Sequence, residues 1–457
     1  MPNDVLKILA SNRDDAIDRA IQWLAIPSVS TDPAYAGDCA AAARWAADRL
    51  TETGLAADLI QTDTHPIVLA RSPHVPDAPT VLFYGHYDVQ PPDPIDLWTT
   101  PAFQPTIRED KIFARGAVDD KGQVSCFLES LRAWHDARGA LPLNVIALIE
   151  GEEECGSGQL ERFINQNPDQ LKADVALISD TTMWDENTPA ITYALRGMLY
   201  LEIKLHGPDH DLHSGVHGGA VANPANELTK VLGQLFDRNH HVTIDGFYDD
   251  VLPLADSERD QWTRLNFDEA QWIAHTGMDT PHGEAGFSTL ERRWARPSLD
   301  INGLFGGYQG DGAKTIIPAS AGCKLSFRLA ANQDPHQIHK ATLNFFDERT
   351  PPGCRWEITE FGSAYPAAVP TDSPWLAAAV QAVADACGRP PVLVREGATI
   401  PIVGTLKSAL NLESLMVGFG LPDDRPHAPN EKFNLHCFDL GCQSHVALIQ
   451  SLAEVNR

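Results

Sequence analysis

Short apolar runs that are dense in β-forming residues recur along the chain and are bounded by turn residues. They cover residues 80–84, 143–149, 175–178 and 415–419. Runs of this kind predict strands that are buried on both faces. Apolar residues at helical spacing over 124–134 predict a helix between two of these strands. Strands that alternate with helices indicate an α/β fold with a mainly parallel sheet.

The middle of the chain has a different pattern. Apolar and polar residues alternate over 200–205 and again over 323–329. This alternation predicts strands with one solvated face, and therefore a separate antiparallel sheet. Asn223-Pro224 predicts the start of a helix, with Asn as N-cap and Pro in the first turn, and a further helix fits 335–346.

The length of the chain also favours two domains. The sequence has 457 residues, whereas a single hydrophobic core rarely extends beyond about 250–300 residues. We expect residues 197–365 to form an α/β lid of two layers. This lid is inserted into an α/β domain that comprises residues 1–196 and 366–457.

Composition and charge exclude several classes of function. The formal net charge is −27, which disfavours binding to nucleic acid or to an anionic membrane surface and favours attraction of cations. The sequence lacks an apolar stretch of about 18 residues, so no membrane-spanning segment is expected. The eight cysteines form no C-x-x-C pair and the N-terminus does not resemble a signal peptide. We therefore expect reduced thiols and a cytoplasmic protein.

Acidic and imidazole side chains follow each of the four predicted buried strands. His86 follows the first strand, the run 150–154 follows the second, Asp180 the third and His427 the fourth. A single acidic residue after a strand is usually a helix cap or part of a solvated turn. Because ligands of open α/β sheets bind outside the carboxyl ends of the strands, four such sites together predict one functional cluster. Asp119 joins this cluster from a loop that precedes the predicted helix.

The candidate ligands are imidazoles and carboxylates, without thiolates. This set suits Zn²⁺, Mn²⁺ or Co²⁺ with open coordination positions. Two histidines and three carboxylates can hold two ions if one carboxylate is shared, and a further carboxylate can then act as general base. Asp88, two residues after His86, is placed to orient that imidazole and belongs to the candidate catalytic residues.

Three ordered motifs show a resemblance to a known family. They are Gly85-His86-Tyr87-Asp88, Pro101-Ala102-Phe103 with the preceding Trp98, and the run from Arg115 through Asp119-Asp120-Lys121-Gly122 to Gln123. In these motifs the chain resembles the M20 metallopeptidases, in particular the branch of cytosolic non-specific dipeptidases and carnosinases. The resemblance extends from Ile26 to Lys432.

The resemblance implies a two-metal site. His86 and Asp180 would hold one ion, Glu154 and His427 the other, and Asp119 would bridge them. Zn²⁺ is the expected metal, with Mn²⁺ and Co²⁺ as alternatives. Glu153, just before the ligand Glu154, matches the general base of the family. The peptide bond after Asp119 is expected to be cis.

The resemblance also implies a set of substrate-binding residues in the lid and near it. His213 matches a histidine that reaches the active site of the other subunit and stabilises the oxyanion, which implies a homodimer. Arg328 matches a residue that binds the carboxylate of the substrate. Thr315 and Thr399 match further substrate contacts. The neighbouring His206, His210 and His217 are expected to be surface loop residues rather than metal ligands.

The expected activity is hydrolysis of dipeptides or very short peptides with a free C-terminal carboxylate. The partner is then a small peptide. One alternative within the same fold is an N-acyl amino acid deacylase or desuccinylase, although the run Asp119-Asp120-Lys121-Gly122-Gln123 favours the dipeptidase branch. A remoter alternative is a non-catalytic amino-acid-binding protein, against which the presence of Glu153 and all five ligands argues.

Overall fold

The computed structural model describes residues 1–455, which divide into two compact units. The first unit contains Met1–Tyr193, Ala368–Val394 and the described residues from Pro401 onward. The second unit contains Ala194–Ala367 and Arg395–Ile400. Each unit has its own sheet and its own hydrophobic core.

This division differs from the sequence-based boundaries at residues 194–196, 366–367 and 395–400. The sequence pattern assigns them to the α/β domain, whereas the structure groups them with the inserted unit. Residues 395–400 contact Arg196, which lies at the start of that unit. Its Nε atom donates to the Gly397 carbonyl at 3.2 Å, and its own carbonyl accepts from Thr399 Oγ1 at 2.6 Å.

The first unit contains a nine-stranded sheet and a three-stranded sheet in the part of the chain that the structure describes. The strands, numbered in chain order, are β1 (Ala56–Ile60), β2 (Ile67–Arg71), β3 (Thr80–His86), β4 (Thr106–Arg108), β5 (Lys111–Phe113), β6 (Asn144–Glu150), β7 (Val175–Ile178), β8 (Ala190–Leu195), β15 (Ala367–Ala368), β16 (Val392–Glu396), β17 (Ser414–Met416) and β18 (Lys432–Asn434). The large sheet has the order β1-β2-β6-β3-β7-β17-β8-β15, with β16 paired to β8, and the small sheet has the order β18-β5-β4.

The centre of the large sheet is parallel, as the sequence predicts. Strands β6, β3, β7 and β17 pair in parallel, whereas β1 with β2, β2 with β6 and β17 with β8 pair antiparallel. The register sets His86 opposite Glu150 at the carboxyl ends of β3 and β6. All seven residues of β6 are buried, which explains the uninterrupted apolar run 145–149 within it. The carboxyl ends of these strands therefore meet at one edge of the sheet.

Helices cover this sheet. They are α1 (Asn3–Ser11), α2 (Arg13–Leu24), α3 (Ala36–Glu52), α4 (Lys121–Arg138), α5 (Gly158–Gln166), α12 (Pro374–Cys387), α13 (Pro401–Leu410) and α14 (Leu435–Ala453), with short 3-10 turns at Pro33–Tyr35, Ile95–Leu97, Glu153–Cys155 and Pro168–Leu171. Helix α4 packs against α1, α2 and α14, so most of its residues are buried. It ends at Gly139, which adopts the left-handed conformation that a helix C-terminus favours (φ 70°).

The second unit contains a four-stranded antiparallel sheet, a two-stranded sheet and helices. Its strands are β9 (Gly197–His206), β10 (Leu212–His213), β11 (Ser298–Gly306), β12 (Ile316–Ile317), β13 (Ser320–Leu329) and β14 (Arg355–Ala364). The order of the main sheet is β11-β13-β9-β14, and β10 pairs with β12. Burial alternates along β9 and along most of β13, as the period of two in the sequence predicts.

The helices of this unit are α6 (Ser214–His217), α7 (Pro224–Leu232), α8 (Asp256–Thr263), α9 (Glu269–His275), α10 (Thr289–Trp294) and α11 (Pro335–Asp347). The predicted cap of α7 is present, since the Asn223 side chain accepts a hydrogen bond from the Ala225 amide at 3.0 Å. Leu228, Val231 and Phe345 of the helices pack against the apolar face of the sheet to form the core. None of the helices in residues 1–455 combines the length and apolar character that a membrane crossing requires.

Candidate metal centre

His86, Asp119 and Asp180 form one group of potential metal ligands in the first unit. His86 is the last residue of β3, Asp180 lies two residues beyond β7, and Asp119 lies just before α4. The Nε2 atom of His86 is 3.1 Å from Asp119 Oδ1 and 4.0 Å from Asp180 Oδ2. The three side chains therefore converge from separate segments of the chain.

Asp119, Glu154 and His427 form a second group. The Nε2 atom of His427 lies 2.9 Å from Asp119 Oδ2 and 3.2 Å from Glu154 Oε2. Asp119 thus belongs to both groups, and each of its carboxylate oxygens faces a different imidazole. All five ligands expected from the resemblance are present in these two groups.

The donor atoms of both groups fit divalent metal cations. Imidazole and carboxylate donors without a thiolate are typical of Zn²⁺, Mn²⁺ and Co²⁺ sites. Glu154 Oε1 is buried and has no hydrogen-bond partner among the described residues. Because an unpaired buried carboxylate oxygen is costly, a bound cation would stabilise this atom.

The electrostatics of the cluster point in the same direction. Hydrogen bonds to Asp119 and Glu154 raise the pKa of His427 to about 10. Burial lowers the pKa of His86, but its contacts with Asp119 and Asp88 outweigh burial and raise that pKa well above the usual value. The cluster of carboxylates therefore stabilises positive charge at both imidazoles, as it would stabilise bound cations.

Asp88 lies against His86 and also holds the segment that carries Glu154. Its Oδ1 atom is 3.3 Å from His86 Nδ1, and its backbone carbonyl is 3.1 Å from the same nitrogen. Its two carboxylate oxygens accept hydrogen bonds from the backbone amides of Glu153 at 3.3 Å and Glu154 at 3.1 Å. One buried carboxylate thus orients an imidazole and anchors the adjacent acidic turn.

Glu153 starts the 3-10 turn after β6 and is partly buried. Burial raises the pKa of Glu153 to about 7, and the carboxylates of Glu154 and Asp119 contribute to this rise. A carboxyl group with such a pKa can both accept and release a proton near neutral pH.

The loop before α4 has the cis peptide bond expected between Asp119 and Asp120. Asp120 Oδ2 accepts a hydrogen bond from the backbone amide of His86 at 3.3 Å. This approach requires a glycine at position 85, because a Cβ there would lie 2.4 Å from Val124 Cγ2 and 3.0 Å from Asp120 Oδ2. The presence of glycine at position 85 in the first motif is therefore explained by steric constraints.

Two side chains near the cluster were not singled out by sequence reasoning. Gln90 Nε2 donates to Glu154 Oε2 at 2.7 Å and to the Glu154 carbonyl at 3.3 Å. Glu431 binds the loop that carries Asp119. The sequence offered one signal for each residue. Gln90 lies close to the end of a buried strand, and Glu431 lies four residues after His427.

The remaining candidate residues lie in the second unit, where they form two pairs. Arg328 NH1 donates to Thr399 Oγ1 at 3.0 Å. His213 is adjacent to the β12 segment, since the Ser214 amide donates to the Thr315 carbonyl at 3.1 Å and His213 pairs with Ile316. The Nδ1 atom of His213 accepts a hydrogen bond from the Gly215 amide at 3.0 Å.

The histidines close to His213 do not form a potential metal site within the described residues. His206 is paired with Glu357 at 2.7 Å, and His210 with Asp209 at 2.5 Å. The expectation that these are loop residues is wrong for two of them. His206 is the last residue of β9, and His217 is the last residue of α6.

The sequence profile of peptidase family M20/M25/M40 matches residues 82–451. The chain belongs to this family. It is therefore a metallopeptidase, a hydrolase of peptide bonds.

Members of this family resemble the chain over nearly its whole length. It is 33% identical to the Cys-Gly metallodipeptidase DUG1 of Candida albicans, over 94% of this chain and 92% of that protein. The crystal structure of human carnosine dipeptidase 1 has a TM-score of 0.80 and 29% identity, and the match covers 99% of each chain. The M20 family metallo-carboxypeptidase Sso-CP2 from Sulfolobus solfataricus has a TM-score of 0.86 and 30% identity over 96% of this chain and 99% of that one.

Proposed function

We propose that this protein is a two-metal dipeptidase that hydrolyses dipeptides or short peptides with a free C-terminal carboxylate. The observation that carries the proposal is the position of Asp119. Its Oδ1 atom lies 3.1 Å from one imidazole and its Oδ2 atom 2.9 Å from the other. A carboxylate shared in this way, beside the non-ligand carboxylate of Glu153, fits amide hydrolysis at a pair of metal ions.

His86 and Asp180 would hold one ion, Glu154 and His427 the other, and Asp119 both. We propose Zn²⁺ as the native metal, with Mn²⁺ and Co²⁺ compatible with the same donors. When bound, such ions lower the pKa of a water molecule and polarise the scissile carbonyl group. Asp88 fixes the orientation of His86 through its Nδ1 atom, 3.3 Å from Asp88 Oδ1.

Glu153 acts as the general base in this proposal. Its carboxylate accepts a proton from the attacking water and then delivers it to the nitrogen of the leaving amine, so the base is regenerated in each cycle. The pKa of Glu153, raised by burial to about 7, suits both transfers. Position 153 is held by the backbone hydrogen bond of its amide to Asp88 Oδ1 at 3.3 Å.

Arg328 would bind the C-terminal carboxylate of the substrate. Within the described residues this half-buried guanidinium has no ion-pair partner, and burial lowers its pKa. Its NH1 group is fixed by Thr399, whose own hydroxyl proton is donated to the Arg196 carbonyl at 2.6 Å. Thr399 therefore orients the guanidinium. A half-buried, oriented arginine without an ion-pair partner is suited to bidentate binding of a carboxylate.

His213 would stabilise the oxyanion. Because its Nδ1 atom accepts a hydrogen bond from Gly215, the proton of the neutral imidazole resides on Nε2, which is free to donate to a carbonyl oxygen. Thr315 would contact the substrate from the adjacent segment. We propose that His213 acts in the partner subunit of a homodimer.

Features of the second unit support a homodimer. Strand β11 is an edge strand of the four-stranded sheet, and Leu304 and Ile301 on it are 67% and 39% exposed. Exposed apolar residues on an edge strand are typical of a protein–protein interface. The eight free cysteines support our further proposal of a cytoplasmic location.

A second candidate is a carboxypeptidase that removes the last residue of longer peptides. The high structural similarity to the metallo-carboxypeptidase Sso-CP2 favours it, and an arginine that binds the terminal carboxylate would serve both activities. The N-acyl amino acid deacylase remains the alternative within the family fold.

The test is a substrate panel with metal-stripped enzyme that has been reloaded with Zn²⁺ or Mn²⁺. The panel contains free dipeptides, the same dipeptides as C-terminal amides, peptides of four to six residues, and N-acetyl and N-succinyl amino acids. We expect fast cleavage of free dipeptides and slow cleavage of the amides. Preferred cleavage of the longer peptides would assign a carboxypeptidase, and cleavage of the N-acyl compounds alone would assign a deacylase.

A further inference from the structure

Glu431 is a fully buried carboxylate in the first unit that lies outside the two ligand groups. Its Oε2 atom accepts hydrogen bonds from Arg115 NH1 at 2.6 Å and from the Gly116 amide at 3.1 Å. Its Oε1 atom accepts from the amides of Val118 at 3.0 Å and Asp119 at 3.2 Å. Each oxygen therefore has two donors, and one of these is the backbone of the shared ligand itself.

These four hydrogen bonds hold an irregular loop, together with the Arg115 amide, which donates to the Ala102 carbonyl at 2.9 Å, and Gln123 Nε2, which donates to the Val118 carbonyl at 3.0 Å. Residues 114–120 lie between β5 and α4 and belong to neither element. Burying four donors together is favourable only if an acceptor with charge and several lone pairs satisfies them. Arg115 is fixed in turn, since its NH2 group donates to the Pro91 carbonyl at 3.1 Å and its guanidinium lies 5.5 Å from the ring centre of Trp98.

Glu431 also connects this loop to the segment that carries His427. It lies four residues after His427 and directly before β18, which pairs antiparallel with β5. The backbone carbonyl of Glu431 accepts a hydrogen bond from the Ala114 amide at 3.2 Å. Side chain and backbone of one residue thus join the two segments that present Asp119 and His427.

We propose that Glu431 is a positioning residue that sets the place of Asp119 relative to His427 and thereby the affinity of the protein for both metal ions. This inference rests on the metal site of the proposed function. Glu431 itself belongs to neither group of potential metal ligands. It acts through the backbone of the loop, in the way that residues behind a ligand tune a metal site.

The chemistry of the contacts predicts the effect of a substitution. In Glu431→Gln one oxygen becomes an NH₂ group, which would face two N–H donors in place of an acceptor. The loop must then rearrange or leave those donors unpaired. Loss of a partner behind a metal ligand typically weakens metal binding by about 10–100-fold. Because both groups share Asp119, both binding steps should weaken.

The experiment is a Co²⁺ titration of the metal-stripped full-length protein, followed by the visible absorption of the bound ion and by calorimetry. Glu431→Gln is compared with the wild type and with Glu129→Gln. Glu129 is the matched control, because it is also a buried carboxylate of the first unit, paired with Arg19 at 2.7 Å, and its contacts do not include the loop. Thermal unfolding of each metal-free protein shows whether it folds.

The expected result is a loss of about 10-fold or more in both Co²⁺ affinities of Glu431→Gln, with Glu129→Gln within about two-fold of the wild type. Wild-type affinities in Glu431→Gln, or an equal loss in the control, would overturn the inference. If Glu431→Gln lacks a cooperative unfolding transition, Glu431→Asp is judged by the same criteria. A wild-type protein that binds no Co²⁺ would instead contradict the proposed function, and the inference with it.

Discussion

The Oδ2 atom of Asp119 lies 2.9 Å from the Nε2 atom of His427. These atoms come from the loop before α4 and from the segment after β17, which are about 300 residues apart in the sequence. The opposite oxygen of Asp119 faces His86, so a single carboxylate connects two groups of potential metal ligands. The testable consequences concern the base beside this carboxylate, the substrate-binding residues and a histidine in the core.

Replacement of Glu153 by Gln should abolish most of the turnover without loss of metal. The amide cannot accept the proton of the attacking water, and general bases typically contribute about 10²–10⁴-fold to the rate. We therefore expect kcat to fall by that factor while metal content, measured by mass spectrometry, is unchanged. The control is Glu152→Gln, a buried neighbour whose Oε2 accepts from the Gln159 amide at 3.1 Å. An equal loss of activity in the control would contradict the assignment of the base.

Replacement of Arg328 by Met should lower kcat/KM for substrates with a free C-terminal carboxylate. A hydrogen bond to a charged group contributes about 1.5–3 kcal/mol, which corresponds to roughly a 10–100-fold loss in kcat/KM. The C-terminal amide of the same dipeptide should lose little. The control is Lys324→Met, on the same strand and the same face of the sheet. Equal losses for the acid and the amide would refute a carboxylate-binding role for Arg328.

The proposed homodimer with His213 in trans predicts complementation between two inactive variants. In a mixed dimer of Glu153→Gln and His213→Ala, one of the two sites combines an intact Glu153 with an intact His213 from the other chain. When equal amounts of the two variants exchange subunits at random, about half of the dimers are mixed, and each mixed dimer has one intact site of two. The mixture should therefore have about one quarter of the wild-type activity. The measurement is turnover of a dipeptide after the variants are mixed under conditions that allow exchange. Activity that stays at the level of the separate variants would argue that His213 does not act in trans.

The burial of His445 predicts that part of the free energy of unfolding depends on pH. Burial lowers the pKa of His445 to about 3, whereas an unfolded histidine titrates at about 6.5. Between these values the unfolded chain binds a proton that the folded chain does not bind, so stability falls as the pH decreases below about 6.5. The ring of His445 lies 5.6 Å from that of Phe127, and its Nε2 atom lies 3.2 Å from Ser179 Oγ.

The variant for this prediction is His445→Gln, which does not titrate. Urea unfolding of the metal-free proteins at pH 7.5, 6.5 and 5.5 gives the difference in free energy of unfolding between wild type and variant. Between pH 6.5 and 5.5 this difference should shift in favour of the variant by about 1 kcal/mol. A difference that stays constant over this range would show that the folded protein accommodates a protonated His445.

The sequence reveals those parts of the fold and the candidate site that depend on local patterns. Strands buried on both faces are recognisable from their apolar runs, and the residues that follow them, such as His86 and Asp180, could therefore be grouped in advance. The pattern does not give the exact end of a strand. The apolar run 415–419 is a strand only over Ser414–Met416. Beyond the strand, Gly418 lies so close to the backbone of Thr181 that a Cβ at this position would approach the Thr181 carbonyl oxygen to 2.0 Å.

Contacts between distant residues were not predictable. Glu431 lies in a short polar stretch that resembles any exposed turn, and its buried position depends on donors more than 300 residues away. Residues 395–400 join the second unit through hydrogen bonds with Arg196, which no periodicity encodes. Such contacts join segments that are far apart in the sequence, so no local pattern predicts them. Most of the candidate ligands, in contrast, follow individual strands that are recognisable in the sequence.

The most direct test of the account is a titration of metal-stripped enzyme with Zn²⁺, in which bound metal and turnover of a free dipeptide are measured in the same samples. Because Asp119 belongs to both ligand groups, we predict that activity is absent without metal and reaches its plateau at two ions per chain. Asp180→Asn, which removes a ligand of one group only, should bind one ion tightly and remain nearly inactive. Full turnover without metal, or a plateau at one ion per chain, would contradict a two-metal dipeptidase.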